Sequence, residues 1–360
     1  SVIFKNKPLY YTNTLDSLVE FTIPNLKEGR YLLAAVKDVS KNYVFDPSID
    51  KIDVISEPIT LPNDSLFSLS LFKEDLDFAF GRAYQAGKQR VGFGYTGSPD
   101  FDIVLEGELP DSFASVVSRD RETDTVYYWY KGIEVDSLKF TLKHNTLTKS
   151  YEYRIRKAEP DSLKVTVVQN GTLQLVDTLK IRTNTPLKDF DVDAISLLDK
   201  DSVSVPFKLA QNNKHELQML FDVFPNENYQ LQLLPGAITD FFDVTHDTLA
   251  VKLNTKSRVD YGNLSLRLGN VPSFPIFIDL LDEKEEIKRS IYATEPRGVF
   301  RFAYLRPNKY YIRVRIDENA NGKWDTGHYL KKQKPEAVYH FESQLDVRAN
   351  WELQEQFILK

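Results

Sequence analysis

The chain carries FTIPNLKEGRYLLAAVKDVSKNYVFD at residues 21–46 and FRFAYLRPNKYYIRVRIDENANGKWD at residues 300–325. In each stretch an alternating segment runs through a short turn into a second segment, which opens with Tyr and ends at an Asp. Each chemical type returns in register and without a gap, which indicates two homologous domains that bracket the chain. The recurring residues are Phe21, Ile23, Leu26, Tyr31, Asp38, Asn42 and Asp46, which return as Phe300, Phe302, Leu305, Tyr310, Asp317, Asn321 and Asp325.

Short alternating segments continue outside the repeat, among them VEFTI (19–23), KVTVV (164–168) and YYIRVRI (310–316). A period of two residues places one face in a core and the other in water, as in half-buried antiparallel strands. Clusters of turn-forming residues such as PNDS, KHNT and QNG separate these segments. The sequence therefore predicts an all-β protein of tandem β-sandwich domains with little helix.

Composition excludes several classes of function. The chain has 360 residues, enough for several domains, and its formal charge of -6 gives no basic field, so nucleic acid is not an expected partner. Its Cys count is 0, which excludes thiolate catalysis, Cys-ligated zinc and disulfides. No apolar run approaches the roughly 20 residues of a transmembrane helix, and no catalytic residues stand out.

We predict four domains, at residues 1–76, 77–182, 183–270 and 271–360. A predicted strand, FPIFIDLL (274–281), precedes the repeated segment in the second copy. Its counterpart in the first copy would begin before residue 1, so we expect the first domain to be truncated and the native polypeptide to extend upstream. The segment IRTNTPLKDF, around Pro186, predicts a linker because a residue before proline favours an extended conformation.

Motifs in two domains carry a family resemblance. Tyr229, Leu231 and Leu233, followed by PGAI (235–238) and later by Asn254-Thr255, resemble bacterial Ig-like domains of the surface-layer type. The patterns GxFxF, LxPxxY and DxNxNGxWD of the bracketing copies resemble transthyretin-like or prealbumin-like sandwiches of Bacteroidota proteins. Residues 77–182 carry no recognised motif, and we expect a β-sandwich of uncertain type there.

Taken together, these domains resemble the Ig-like domain surface lipoproteins of that phylum. The resemblance implies an extracytoplasmic outer-membrane lipoprotein, at the cell surface or the periplasmic face, anchored by lipid upstream of residue 1. We therefore expect a non-enzymatic structural or protein-binding subunit of an envelope assembly, with outer-membrane or envelope proteins as partners. The alternative is a carbohydrate-binding or adhesin surface protein with glycan ligands, for which an exposed Tyr and Trp row would be the discriminating observation.

The second copy contains an Asp/Asn-rich loop that is a candidate calcium site. Oxygen side chains stand at loop positions one, three, five and nine, with the Lys323 carbonyl at seven and Gly322 at the bend, as a hard cation requires. The alternative is a long turn in which Asp317 and the two Asn residues cap backbone amides. The candidate ligands are Asp317, Asn319, Asn321, Lys323 and Asp325.

The first copy keeps oxygen atoms at the same spacing. Tyr43 replaces the glycine there, and its Cβ disfavours the left-handed conformation that a tight loop requires. A residual turn competes with a second structural calcium site, possible ligands being Asp38, Ser40, Asn42 and Asp46.

Residues 126–130, VYYWY, form the candidate binding surface. As a strand, this segment sends Tyr127 and Trp129 to one face and Tyr128 and Tyr130 to the other. Only one face can belong to the core of its own domain. The other row either packs on a neighbouring domain or forms an aromatic platform for a sugar or a protein.

A short motif, Asp followed by Ser or Thr and a branched apolar residue, is similar to the O-glycosylation signal of exported Bacteroidota proteins. It predicts a glycoprotein, whereas the simpler interpretation is a polar turn before a strand. The motif begins at Asp16, Asp64, Asp124, Asp136, Asp161, Asp177, Asp201 and Asp247.

Overall fold

The computed structural model describes residue 3, residues 5–14 and residues 20–360. Within these ranges the regular structure consists of β-strands and short 3-10 segments, one of which is a single turn at Arg258–Asp260. The predicted all-β class of tandem sandwiches is confirmed. Val19, which opens the predicted strand VEFTI, and the motif at Asp16 lie outside the described residues, and residues 20–23 form no strand.

Among its described residues, the first domain has four short strands. β1 pairs with β4 and β2 pairs with β3, both antiparallel. Its core is small, with Phe45, Ile52 and Phe72 buried together. The strands are β1 (Gly29–Tyr31), β2 (Ala34–Lys37), β3 (Lys51–Val54) and β4 (Ile59–Leu61).

The second domain is a sandwich of two antiparallel sheets, in the strand orders β5-β6-β9-β8 and β11-β10-β7. Phe93, Tyr128 and Phe140 lie in the core between the sheets. The strands are β5 (Ala79–Gly87), β6 (Arg90–Thr96), β7 (Asp102–Leu105), β8 (Ala114–Arg119), β9 (Thr125–Lys131), β10 (Ser137–His144) and β11 (Leu147–Arg154).

The third domain has sheets in the orders β12-β14-β18-β17, β13-β21-β19-β16 and β15-β20. Its core contains Leu197, Met219 and Tyr229. The strands are β12 (Val165–Val167), β13 (Gly171–Thr172), β14 (Leu179–Thr183), β15 (Leu187–Phe190), β16 (Ile195–Leu198), β17 (Lys208–Asn213), β18 (Glu216–Leu220), β19 (Asn228–Leu233), β20 (Ile238–Asp240) and β21 (Leu249–Asn254).

The last domain packs the sheet β25-β22-β29 on a sheet in the order β24-β23-β26-β27, with β28 also paired to β26. Its core is large and includes Ile278, Phe302 and Val314. The strands are β22 (Gly262–Gly269), β23 (Ile276–Leu281), β24 (Ile287–Ala293), β25 (Phe300–Leu305), β26 (Asn308–Ile316), β27 (Val338–His340), β28 (Leu345–Val347) and β29 (Glu352–Ile358).

Strand pairing corrects two of the predicted domain boundaries. The boundary between residues 182 and 183 is wrong because β14 pairs with β18, which places β12 to β14 in the third domain. The predicted linker around Pro186 is part of that domain, where Thr185 is 0% exposed. The boundary between residues 270 and 271 is also wrong, because β22 pairs with β25 and β29 of the last domain.

The backbone confirms the internal repeat. Tyr31 pairs with Ile59 in the first domain as Tyr310 pairs with Leu345 in the last. A left-handed backbone conformation also recurs at the same position, since Asn25 has φ 58° and its counterpart Tyr304 has φ 54°. The repeat therefore extends from side-chain pattern to strand register and to individual backbone dihedral angles.

Candidate functional site

The aromatic strand β9 lies at the junction of the second and third domains. Tyr128 and Tyr130 point into the core of the second domain, where they are 5% and 2% exposed. Tyr127, Trp129 and Lys131 occupy the opposite face, as the alternation predicts. This second row contributes to contacts with the third domain.

Trp129 is buried in the junction, at 1% exposure. Its indole Nε1 donates to Ser118 Oγ at 2.8 Å, and its ring centroid lies 5.7 Å from that of His215 and 6.2 Å from that of Phe242. His215 and Phe242 belong to the third domain. Of the two interpretations of this row, the structure favours packing on a neighbouring domain.

The predicted aromatic platform is therefore wrong as an exposed surface. Tyr128, Trp129 and Tyr130 are buried, and Tyr127 is half-buried. The Arg90 guanidinium lies 5.1 Å from the Tyr127 ring centroid and 4.7 Å from that of Trp129, so a cation covers both rings. The sequence pattern predicted the two faces of the strand but not which surface would cover the outer one.

Ion pairs surround the buried aromatic contact. Asp243 of the third domain accepts hydrogen bonds from Lys131 and Lys188, and these two ammonium groups lower its pKa to about 2. Glu216 is buried, which opposes ionisation, but hydrogen bonds from Arg182 and Asn212 outweigh this effect and hold its pKa below the ordinary value. Arg121 of the second domain lies 4.0 Å from the same Glu216 carboxylate.

A cleft of about 1110 Å³ opens between the second and third domains, beside these contacts. Its walls are largely polar and charged, and they come from both domains. Residues facing the cleft include Arg90, Asp100, Arg121, Trp129, Lys143, Lys214 and His215.

The Asp/Asn loop of the last domain is organised by its own hydrogen bonds. Asp317 is 0% exposed and accepts from the backbone amides of Asn321 at 3.0 Å and Gly322 at 2.8 Å, and from the Tyr292 hydroxyl at 2.8 Å. Burial opposes ionisation of Asp317, yet these bonds hold its pKa below the ordinary value. The side-chain amide of Asn321 donates to Asp325 at 2.7 Å.

Glu336, which the sequence analysis did not select, braces this loop. One carboxylate oxygen accepts from the Glu318 amide at 2.7 Å, and the other accepts from the Asp325 amide at 2.8 Å. Glu336 precedes β27 and lies well beyond the loop in sequence. Only the pairing of β27 with β26 brings it back, so spacing within the motif carried no signal for it.

The first copy of the loop has the same construction. Asp38 accepts from the Tyr43 amide at 2.6 Å, as Asp317 accepts from Gly322. Tyr43 adopts φ 63° and Gly322 adopts φ 79°, so the expected steric penalty on Tyr43 does not change the conformation. Asp46 accepts from the Ser48 amide and hydroxyl, and these hydrogen bonds lower its pKa.

Calcium binding by either loop stays a prediction. Among the described residues, no group of three or more His, Asp or Glu side chains is placed to hold a metal ion. Ser40 and Lys323 lie in the two loops as predicted, and both side chains are exposed. The hydrogen bonds of Asp317 and the two Asn residues match the alternative prediction of a long capped turn.

A hairpin after the second loop docks the last domain on the first. His328 and Gln333 exchange backbone hydrogen bonds at 2.8 and 3.1 Å and so close the hairpin. His328 Nδ1 lies 3.6 Å from a Glu74 oxygen, and Lys334 contacts Asp53. Tyr329 packs against the small core of the first domain. The two homologous domains thus contact each other directly.

No protein-family model matches the chain, and no curated protein matches it. Among solved structures, the major pilin subunit BcpA of Bacillus cereus is 10% identical, with 67% of this chain and 89% of that chain covered and a TM-score of 0.20. Domains A168–A170 of titin are 9% identical, with coverage of 77% and 97% and a TM-score of 0.20. Domains 5–6 of the S-layer protein SbsC are 9% identical, with coverage of 50% and 100% and a TM-score of 0.22. At these scores the matches carry no argument about function.

Helices long and apolar enough to cross a membrane do not occur in the described part of the chain.

Proposed function

We propose that this chain is a non-enzymatic, extracytoplasmic structural protein that holds binding partners at fixed positions within an outer-membrane or envelope assembly. In this proposal it is a lipoprotein, anchored outside the described residues. The observation that carries the proposal is the burial of Trp129 between the second and third domains. Sandwiches that share buried contacts keep a defined relative orientation and so set distances between their loops.

The contact between the first and last domains supports the same function. The hairpin at residues 327–334 joins the two bracketing domains without a flexible spacer. Fixed domains expose loops in a constant geometry, which suits a scaffold better than a catalyst.

The carbohydrate-binding alternative loses its main support. It required an exposed row of Tyr and Trp side chains, and Trp129 is 1% exposed. The Arg90 guanidinium also lies over the Tyr127 and Trp129 rings that a sugar would stack on.

The proposal is tested by isolating the protein from native membranes under mild cross-linking. A defined partner at fixed stoichiometry is the expected result. In parallel, small-angle scattering of the purified chain is expected to fit a single arrangement of domains. Trp129→Ala is expected to require a wider range of domain arrangements to fit the scattering. A matched control is Trp351→Ala, since Trp351 is 50% exposed in the last domain. If the protein is recovered from membranes without a partner and binds sugars on a glycan array, the carbohydrate-binding or adhesin function would be favoured instead.

A further inference from the structure

Four groups form one chain of hydrogen bonds across the junction of the second and third domains. Trp129 Nε1 lies 2.8 Å from Ser118 Oγ, which lies 2.9 Å from His215 Nε2. His215 Nδ1 lies 3.2 Å from the Thr183 carbonyl oxygen. Ser118 and Trp129 belong to the second domain, whereas Thr183 and His215 belong to the third.

The chemistry of these groups fixes the position of every proton. An indole nitrogen only donates and a carbonyl oxygen only accepts. His215 Nδ1 must therefore carry a hydrogen for Thr183, and Ser118 accepts from Trp129. In neutral imidazole Nε2 is then the acceptor, so the Ser118 hydroxyl donates to it. Every hydrogen along these three hydrogen bonds has an acceptor only while His215 is uncharged.

Protonation of His215 breaks this pattern. A hydrogen on Nε2 makes the Ser118 hydroxyl turn and accept from both His215 and Trp129. The hydroxyl hydrogen then needs a new acceptor, and Ser118 is only 5% exposed to water. Burial and the cations Arg121 and Arg90 oppose a charge on His215 and outweigh the Thr183 and Thr185 carbonyls, which favour it. The neighbouring carboxylate of Glu216 is already bonded to Arg182 and Asn212 and lies 3.8 Å from the Lys180 ammonium.

We infer that His215 is a pH-sensitive latch between the second and third domains, which holds them together near neutral pH and releases them on acidification. Release widens the cleft of about 1110 Å³ that the two domains share. The Lys131 contact to Asp243, which crosses the junction, persists over the same range, because Asp243 titrates only near its pKa of about 2. It keeps the released domains tethered.

The pH window follows from linkage. Burial lowers the pKa of His215 below its ordinary value of about 6.5, so the open junction takes up a proton more readily than the closed one. The closed junction is therefore at full strength above about pH 6.5 and weakens as the pH falls toward the lowered pKa.

The absence of cysteine allows a direct test by fluorescence energy transfer. Lys143→Cys and Lys214→Cys place two dyes on the second- and third-domain walls of the cleft. Between pH 7.5 and 5 we expect a reversible loss of transfer efficiency. The same midpoint, below pH 6.5, is expected for the His215 Cε1 proton in an NMR titration of the unlabelled protein.

Two variants separate the latch from general acid loosening. His215→Gln cannot titrate but keeps an acceptor for Ser118 and a donor for Thr183, and it is expected to abolish the pH response. His340→Gln is the control, since burial also lowers the pKa of His340, which lies in the last domain. Unchanged transfer in the wild type, or an equal pH response in His215→Gln, would overturn the inference. If His215→Gln fails to fold, the wild type still tests the inference. A midpoint for the His215 Cε1 proton that differs from the midpoint of the loss of energy transfer would then overturn it.

Discussion

Asp50 and Glu336 brace the two copies of the Asp/Asn loop in the same way. Asp50 accepts from the amides of Val39 and Asp46, both at 2.9 Å, and Glu336 accepts from the equivalent amides in the last domain. Both acids stand just before the strand that pairs beside the loop. The connection from loop to brace is much longer in the last domain, where it contains the docking hairpin.

Glu336→Gln should destabilise the last domain. The amide can accept with one atom only, so a backbone N–H of Glu318 or Asp325 loses its partner. Both bonds are part-buried, and a buried donor left unsatisfied costs about 1–3 kcal/mol, so we expect a loss near the lower end of that range in denaturant unfolding. Glu342→Gln, on an exposed residue nearby, is the control and should change little. Equal stability of the two variants would contradict the brace.

Calcium binding to the loops is tested by calorimetry on protein freed of metal with a chelator. If the prediction holds for the last domain, Ca²⁺ gives a weak binding signal, and Asp317→Asn and Asp325→Asn remove the part of it that comes from this loop. Glu342→Gln should keep the signal. Absence of both heat and a thermal shift in the wild type would remove both candidate sites.

Gly327 lies where the docking hairpin touches the first domain. A Cβ built on it would come within 2.7 Å of Phe72 ring carbons and 2.8 Å of the Gln333 carbonyl oxygen. We expect Gly327→Val to separate the two domains and to speed proteolysis in residues 20–75. Gly298→Val is the matched control, because a Cβ there meets nothing within 4 Å. Identical digestion patterns would show that the hairpin contact does not protect the first domain.

The Lys131–Asp243 ion pair should make the junction of the second and third domains sensitive to strong acid. The pKa of Asp243 is lowered to about 2 in the folded protein, so its contribution is present above an ordinary carboxyl value of about 3.9 and is lost as pH falls toward 2. Stability measured against pH should therefore decline in this window. Asp243→Asn should flatten that part of the curve, and an unchanged curve would argue against the contact.

If the native protein is glycosylated, the sugar should be attached at those copies of the motif whose Ser or Thr side chain is exposed. Ser65, Ser162, Ser202 and Thr248 are exposed and can reach a transferase, whereas Thr125 is buried in β9. A peptide map of the native protein is expected to show added hexose at exposed motifs and none at Thr125. A map without any added sugar would remove the prediction.

Sequence periodicity was sufficient for the fold class and for the repeat, because both are encoded locally. Alternation around Tyr128 and Trp129 correctly divided the strand into two faces. It could not identify what covers the outer face, since His215 and Phe242 come from a different domain and are distant in sequence. The domain boundaries failed for the same reason: an alternating strand such as β14 fits either neighbouring sandwich until its pairing is known.

Within the loops, the spacing of Asp317, Asn321 and Asp325 predicted a calcium site, with a long capped turn as the alternative, and the hydrogen bonds match that turn. Glu336 could not be found by spacing because strand pairing, and not local sequence, brings it to the loop. Tyr43 shows the opposite case. Its side chain disfavours a positive φ, but the hydrogen bonds of the loop outweigh that local preference.

The hairpin between the first and last domains has a mechanical consequence. In a simple string of sandwiches under tension, every linker and every domain bears the full force. Here Lys334 and Tyr329 connect the first and last domains through space as well as through the chain. A tensile load applied to the last domain is therefore shared between two parallel routes, and the hairpin contact must rupture before the intervening domains bear the full force.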